Sequence, residues 1–337
     1  MRSGPPLTVA VVGLGWWGRI ITGLLKGNPK LSVARVVDVD PAAEKFASGL
    51  GLSFSNAFEE TIKSPEVQAV ILCTPHSQHC EQIVRAAQAK KHVFCEKPLS
   101  LSRADALKAI AACNANGVAL AVGHEKRFEP PIVELFGMAA RGELGTLLQV
   151  EANFSQDKFL SMPADNWRLT EKEAPAGPMT ATGIHLLDLA IGLLGPADNV
   201  LARVRQLGSG LVNGDTLALQ ISFKNGSSAL ISAILATPFE GRFAVYGSKG
   251  WADVRDKAHP EAPEGWVLTT KLRNQQKTAQ EYPPAPAVLA NLEAFADAAA
   301  GRAPYPVPQD QMIENICALE AVFKSAKSGN IEKVEKR

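Results

Sequence analysis

Leu7-Thr8-Val9-Ala10-Val11-Val12-Gly13-Leu14-Gly15-Trp16-Trp17-Gly18-Arg19-Ile20-Ile21 is the stretch on which the fold turns. An apolar strand, Leu7 to Val12, runs into three glycines spaced G-x-G-x-x-G and then into a helix-like segment that reaches Lys26. That spacing alone is common by accident, but its place between strand and helix is what a dinucleotide pyrophosphate requires. Gly13 permits the tight turn, Gly15 lets backbone approach the phosphates, and Gly18 lets helix and strand pack closely. The free N–H groups of the helix start then face the anion. The plainer alternative is an ordinary α/β turn whose glycines only relieve crowding. Against it stands a second strand, Leu31 to Val37, that ends at Asp38, 20 residues after Gly18, where an acid holds a ribose 2′-hydroxyl. Val39 and Asp40 follow, so no Arg or Lys adjoins Asp38 for a 2′-phosphate, and NAD is favoured over NADP.

At 337 residues the chain exceeds the size at which one core usually stops growing, so two domains are expected, 1–123 and 124–337, with the C-terminal helices free to pack back on the first. Basic and acidic residues balance, 35 against 34, which argues against nucleic acid or an anionic membrane as partner. No apolar run approaches the ~20 residues that span a bilayer, and the first six residues lack the apolar core of a signal peptide. Cys73, Cys80, Cys95, Cys113 and Cys317 are odd in number and form no C-x-x-C pair, so they read as reduced thiols of a cytoplasmic protein. Cys95 reads as a small residue at a strand end and not as a nucleophile.

Downstream of Asp38, strands and helices alternate. Val67 to Cys73 is a buried-type strand stopped by Thr74-Pro75, and its end should lie beside the glycine turn. His76 to His79 opens a helix. Lys91 to Cys95 is the next strand and ends in Glu96-Lys97-Pro98; Ser100 or Ser102 caps an Ala-rich helix; Gly117 to Gly123 is one more strand. This alternation predicts a parallel sheet covered on both faces. After about residue 145 the pattern changes to strands with few helices: Leu147 to Phe154, Val200 to Leu207, Leu217 to Phe223, Ser228 to Leu235, Phe243 to Tyr246 and Trp266 to Thr270. Asn225-Gly226 marks a hairpin, and the region reads as a mostly antiparallel sheet. Gly183 to Leu194 is an apolar helix that carries His185 and Asp188, and two helices, 288–300 and 309–327, close the chain after the stiff connector Tyr282-Pro283-Pro284-Ala285-Pro286.

Two groups can do chemistry. Lys97, at a strand end in the cofactor half, can hydrogen-bond a substrate hydroxyl and stabilise an alkoxide as hydride leaves; as an alternative it is one half of a surface pair with Glu96. His185 can take the hydroxyl proton, or be a satisfied core histidine, and Asp188 three residues later can orient it or tie down backbone. His76, His79 and His124 match no metal-ligand spacing, so no metal is expected.

Gly13-x-Gly15-x-x-Gly18, Asp38, Thr74-Pro75-x-x-x-His79, Lys91-His92-Val93-Phe94-Cys95-Glu96-Lys97-Pro98-Leu99, Gly123-His124-x-x-Arg127-Phe128, Trp167-Arg168, Gly183-x-His185-x-x-Asp188 and Tyr246-Gly247-Ser248-x-Gly250 follow one another along the chain. Together they resemble the glucose-fructose oxidoreductase, inositol dehydrogenase and rhizopine-catabolism family of NAD(P)-dependent oxidoreductases. The resemblance implies an N-terminal Rossmann domain, doubly wound around a parallel sheet, and a C-terminal α+β domain whose large antiparallel sheet carries substrate and often oligomer contacts. It implies hydride transfer with a sugar, polyol or related cyclic alcohol, with Lys97 beside nicotinamide and substrate and His185 as general acid/base. It places Gly13, Gly15, Trp16, Trp17, Gly18, Asp38, Thr74, Pro75, His79, Glu96 and Lys97 at the cofactor, and Arg127, Trp167, Arg168 and Thr182 at the substrate. A homodimer or homotetramer is the assembly to expect.

One departure stands out. The family commonly has Asp four residues before this histidine, where this chain has Ala181. Alanine can neither accept a proton nor orient a hydroxyl. His185 then works with Lys97 alone, or Thr180 or Thr182 supplies a neutral hydrogen bond, or the usual reaction is lost. An inositol substrate becomes less favoured, while Lys126, Arg127 and Arg168 would suit a substrate carboxylate. Two alternatives to a dehydrogenase follow: a dinucleotide-sensing protein without turnover, and an NAD-recycling glycoside hydrolase or lyase on the same scaffold.

Overall fold

The computed structural model describes residues 4–335. The chain divides into two compact units. One comprises the chain through His124 together with Val288–Met312, and the other comprises Glu125–Ala287 and the chain from Ile313 onward.

The first unit is built on six parallel strands: β1 (Leu7–Val12), β2 (Leu31–Val37), β3 (Ser53–Ser55), β4 (Ala69–Leu72), β5 (His92–Cys95) and β6 (Leu120–Val122), in the spatial order β3-β2-β1-β4-β5-β6. Every residue of β4 is buried, as expected for a parallel strand covered on both faces. The crossover helices are α1 (Trp16–Leu24), α2 (Ala43–Gly49), α3 (Phe58–Lys63), α4 (His79–Gln88) and α5 (Arg103–Asn116). Of the two candidate caps of α5, Ser102 does the work: its hydroxyl accepts from the Asp105 N–H at 3.2 Å, and Gly117 ends the helix in the left-handed region at φ 66°. The strand order reverses between β1 and β4, where ligands of open α/β sheets bind outside the carboxyl ends of the strands. A helix from the far end of the chain, Ala287–Ala299, packs onto this unit. Leu292, Phe295 and Ala296 join the core of Val9, Val11, Ile71 and Phe94, and the Phe94 and Phe295 rings meet edge to face at 5.8 Å.

The second unit contains α6 (Pro130–Ala140), α7 (Ile184–Leu194) and nine strands: β7 (Leu147–Ser155), β8 (Ala197–Arg205), β9 (Thr216–Phe223), β10 (Ser228–Ile234), β11 (Glu240–Gly247), β12 (Gly250–Asp256), β13 (Trp266–Leu272), β14 (Thr278–Tyr282) and β15 (Glu332–Lys333). Their order is β14-β13-β12-β11-β7-β10-β9-β8-β15, antiparallel at every step except β7 beside β10. The β9–β10 hairpin turns at Gly226, φ 89°, where Asn225 Oδ1 accepts from the Ser227 N–H. Several elements are hidden in the sequence pattern, among them three of this unit. The helix α6 begins with Pro130-Pro131, and prolines fit its first turn because N–H groups there have no intrahelical partner. The strand β12 mixes glycine and charge, and β14 is an exposed edge with no buried side from which alternation could be read.

Candidate active site

The glycine turn separates into three different jobs. At Gly13, φ +90°, a Cβ would lie 2.8 Å from the Cys73 carbonyl carbon and oxygen, so the turn at the end of β1 leaves no room for a side chain. At Gly18 a Cβ would overlap the Gly13 carbonyl oxygen at 1.9 Å. At Gly15 a Cβ would meet nothing of the protein within 4 Å. Two of the glycines are therefore explained by the protein's own packing, and the third is not. Gly15 is also the N-cap of α1, which has no side-chain cap and no acid in its first turn. An open backbone approach to an uncapped helix N-terminus fits a pyrophosphate.

Asp38 folds back onto this turn. Its Oδ2 accepts from the Leu14 N–H at 2.5 Å and its Oδ1 from the Asp40 N–H at 2.9 Å. Beside it lies a groove of about 450 Å³ lined by Leu14, Gly15, Trp16, Arg19, Asp38 and Asp40, among others. Arg19 enters the surroundings of Asp38 from α1, which sequence adjacency could not reveal. Its Nε donates to the Leu14 carbonyl at 2.8 Å, and its guanidinium stacks on Phe46 at 5.1 Å. Trp16 is exposed, Trp17 packs against the core, and their rings are 5.2 Å apart.

Thr74, Pro75, His79, Glu96 and Lys97 collect at the same carboxyl edge. The ladder bonds Cys73 N–H to Val12 O (2.8 Å), Glu96 N–H to Leu72 O (2.9 Å) and Gly123 N–H to Cys95 O (2.8 Å) carry the segments after β1, β4, β5 and β6 into register. His79 is fully buried, with Nδ1 2.8 Å from the Pro98 carbonyl and Nε2 3.0 Å from the Thr74 carbonyl. Its ring ties the Lys97-Pro98 corner to Thr74-Pro75. Glu96 is buried as well: Gly123 has no side chain where the Glu96 carboxyl group lies, at 2.6–2.7 Å from the position of a Cβ. Its Oε2 accepts from the Lys97 N–H at 3.2 Å, an arrangement unlike a solvated surface pair. Cys95 is fully buried, and burial pushes its thiol well above the usual range, which removes it as a nucleophile.

In the second unit, His185 sits in the first turn of α7, directly after a π-helical stretch, Met179–Gly183, a conformation frequent at functional sites. Ala181 packs against the apolar cluster of Phe159, Leu169, Leu211 and Leu235. The hydroxyls of Thr180 and Thr182 are engaged locally: Thr180 donates to Gly177 O at 3.2 Å and Thr182 to Phe154 O at 2.8 Å, so Thr182 stitches the π-turn to β7. His185 itself is buried, with the Phe154 ring 5.9 Å from its own and Glu125 Oε1 3.5 Å from its Nδ1.

Asp188, which the sequence offers as an orienting acid or a structural tie, has a structural partner. It takes Arg127 in a bidentate grip, at 2.6 Å to Nε and 3.0 Å to Nη2, and Arg127 Nη2 also donates to the Asp188 carbonyl at 2.8 Å. Gly192 leaves the space that the Arg127 guanidinium fills against α7. Lys126 is likewise buried, 3.0 Å from Glu129 and 3.1 Å from Asp256. These partners weigh against Lys126 and Arg127 as groups for a substrate carboxylate. Arg168 stacks on Trp167 at 4.1 Å in a short 3-10 turn capped by the Asn166 side chain. The sequence reading passed over Glu125, which lies at an unspecified position of Gly123-His124-x-x-Arg127-Phe128, and His259, whose Nε2 is 2.5 Å from Gln156 Oε1 and whose ring packs on Phe154 and Phe239. Neither lies in a spacing pattern, so only tertiary packing brings them near His185 or its ring neighbour Phe154.

Residues 7–124 match the oxidoreductase family with an NAD-binding Rossmann fold known as Gfo/Idh/MocA, and residues 133–253 match the C-terminal domain of the same family. A 1,5-anhydro-D-fructose reductase of Ensifer adhaerens is 28% identical over 87% of both chains. A myo-inositol 2-dehydrogenase of Thermotoga maritima is 29% identical over 72% of this chain and 74% of its own. The crystal structure of an aldose-aldose oxidoreductase from Caulobacter crescentus, complexed with glycerol, superposes with a TM-score of 0.85 at 25% identity, over 97% of this chain and 99% of that one. Matched in both halves, the chain belongs to the Gfo/Idh/MocA family of oxidoreductases, with an NAD-binding Rossmann domain at its N-terminus.

Proposed function

We propose that the protein is an NAD-dependent dehydrogenase that interconverts a secondary alcohol and a ketone on a sugar, polyol, sugar acid or cyclic dihydrodiol. The observation that carries this reading is the common edge of the parallel sheet, where a glycine turn open at Gly15 and the half-buried Lys97 follow the ends of β1 and β5. When bound, NAD supplies the hydride acceptor at C4 of its nicotinamide. The chain's own residues do the rest. Gly15 and the start of α1 receive the pyrophosphate, Asp38 takes the ribose hydroxyl, Lys97 stabilises the developing oxyanion, and His185 exchanges the hydroxyl proton. Asp38 favours NAD over NADP, since a 2′-phosphate would meet a carboxylate. Ala181 on its apolar cluster offers a substrate hydroxyl nothing, which favours a ring less hydroxylated than inositol. Relatives named for 1,5-anhydro-D-fructose and myo-inositol support a carbohydrate-like substrate class.

The test is NADH formation, followed by absorbance, across sugars, inositols, sugar acids and cyclic dihydrodiols, for wild type, Lys97→Ala and His185→Ala. One substrate class turns over, and each variant loses about 100-fold or more in kcat while still binding NAD. Tight NAD binding with no oxidation across the panel would defeat the reading and leave dinucleotide sensing in its place.

A further inference from the structure

Position 181 provides no acid beside His185, and the Glu125 carboxylate lies 3.5 Å from its Nδ1. We propose that this carboxylate holds His185 as the Nδ1–H tautomer, leaving Nε2 to exchange the proton of the substrate hydroxyl. The inference rests on the reading of His185 as the proton-transfer group and names the group that sets it. Glu125 is a positioning residue in this scheme.

Three observations carry it. The first is distance and burial: Oε1 lies 3.5 Å from Nδ1, with side-chain exposures of 13% for Glu125 and 5% for His185. The separation is long for a hydrogen bond, as such contacts often are before substrate binds and tightens them. The second is the alternatives. Ala181 is alanine on an apolar cluster, and Asp188, the acid on the same helix, is committed to Arg127.

The third is the scaffold. Glu125 opens a single 3-10 turn, Glu125–Phe128, and the two residues after it are both anchored. Lys126 is buried between Glu129 and Asp256, and Arg127 grips Asp188 of α7, the helix that carries His185. The backbone that presents the carboxylate is thus fastened to the helix that presents the imidazole. A site held in this way keeps its geometry without spending binding energy to form it. It also gives Arg127, whose guanidinium is taken up by Asp188, a structural purpose.

In the oxidation direction the substrate C–H leaves as hydride to NAD⁺ and the hydroxyl proton passes to His185 Nε2, so the C–O bond becomes a carbonyl. Nδ1–H keeps its hydrogen bond to Glu125, whose carboxylate stays ionised and stabilises the imidazolium. That proton is then released to water. Atoms and charge balance as alcohol plus NAD⁺ giving ketone, NADH and a proton.

The deciding measurement is the ¹⁵N chemical shifts of the His185 ring in the full-length protein, at a pH where the ring is neutral. The His185→Gln spectrum assigns its signals among the six histidines. The wild type should show Nδ1–H, Glu125→Met should move the ring to Nε2–H, and Glu125→Asp should keep Nδ1–H. Thermal unfolding reports whether each variant is folded, and Glu125→Gln serves as the isosteric variant if Glu125→Met is not, with loss of the single Nδ1–H form expected. An Nε2–H ring in the wild type, or an unchanged Nδ1–H ring in a folded variant without the carboxylate, overturns the inference. With the panel's substrate, Glu125→Met should lose about 100-fold in kcat with KM within about twofold. If His185→Gln abolishes turnover while a folded Glu125→Met keeps the wild-type kcat, the inference falls and the reading of His185 stands. If His185→Gln retains turnover, the proton-transfer reading falls, and the inference with it.

Discussion

Gly15 differs from its two companions in what its missing side chain is for. Gly13 and Gly18 are glycine because Cys73 and Gly13 itself occupy the space of a Cβ, whereas a Cβ on Gly15 would point into open space. Gly18→Ala should therefore cost about 1–3 kcal/mol in denaturant unfolding by overpacking. Gly15→Ala should leave stability within about 0.5 kcal/mol and weaken NAD binding measured by calorimetry. Asp38→Ala should weaken NAD more than NADP, because the carboxylate both accepts from Leu14 N–H and repels a 2′-phosphate. An unchanged NAD affinity in both variants would remove the dinucleotide assignment of the turn. The sequence made these three residues legible, since spacing along one short segment encodes them. It also separates the jobs of the glycines; the tertiary structure adds the groups that enforce them, Cys73 at the end of β4 against Gly13 and the Gly13 carbonyl against Gly18.

At the scale of elements, the segment 125–129 is held by charges inside the protein. Burial, reinforced by the Asp256 charge and opposed by Lys126, pushes the Glu129 carboxyl up to about 8. At neutral pH Lys126 is charged and Glu129 holds its proton. Trp266 Nε1 also donates to Asp256, at 2.9 Å. The sign of the linkage follows. The folded state keeps the Glu129 proton up to about pH 8, while an unfolded glutamate releases it near its ordinary value of 4.5. The folded state therefore binds more protons in that window, and this residue's contribution to stability falls as pH rises from about 4.5 to about 8. Comparing the unfolding free energy of wild type and Glu129→Gln across that range isolates it. The wild type should lose stability relative to the variant as pH rises, and a constant difference would mean that Glu129 is ionised in the fold.

At the scale of the molecule, the large sheet of the second unit carries a polar ladder in which Arg242 bridges Glu151, Asp253 and Tyr246, with Leu148 and Leu230 exposed on the neighbouring strands β7 and β10. A broad sheet of this kind suits pairing with a second copy. We expect a dimer or tetramer, which light scattering would refute by finding only 35.9 kDa.

What the sequence determined by itself is what lies close together along it. The glycine turn and its acid, the alternation that makes a parallel sheet, the hairpin at Gly226 and the Glu96-Lys97 strand end all depend on neighbours within a few tens of residues. Tertiary structure alone decided the partners of charged side chains: Asp188 with Arg127, Asp256 with Lys126 across 130 residues, Glu125 beside His185. It also decided that 288–312 joins the first unit, because an amphipathic helix shows which face it buries and not which surface covers it. Backbone periodicity is a local property. The pairing of buried charges is settled by which groups the fold takes out of water together, since each must find its counter-charge there.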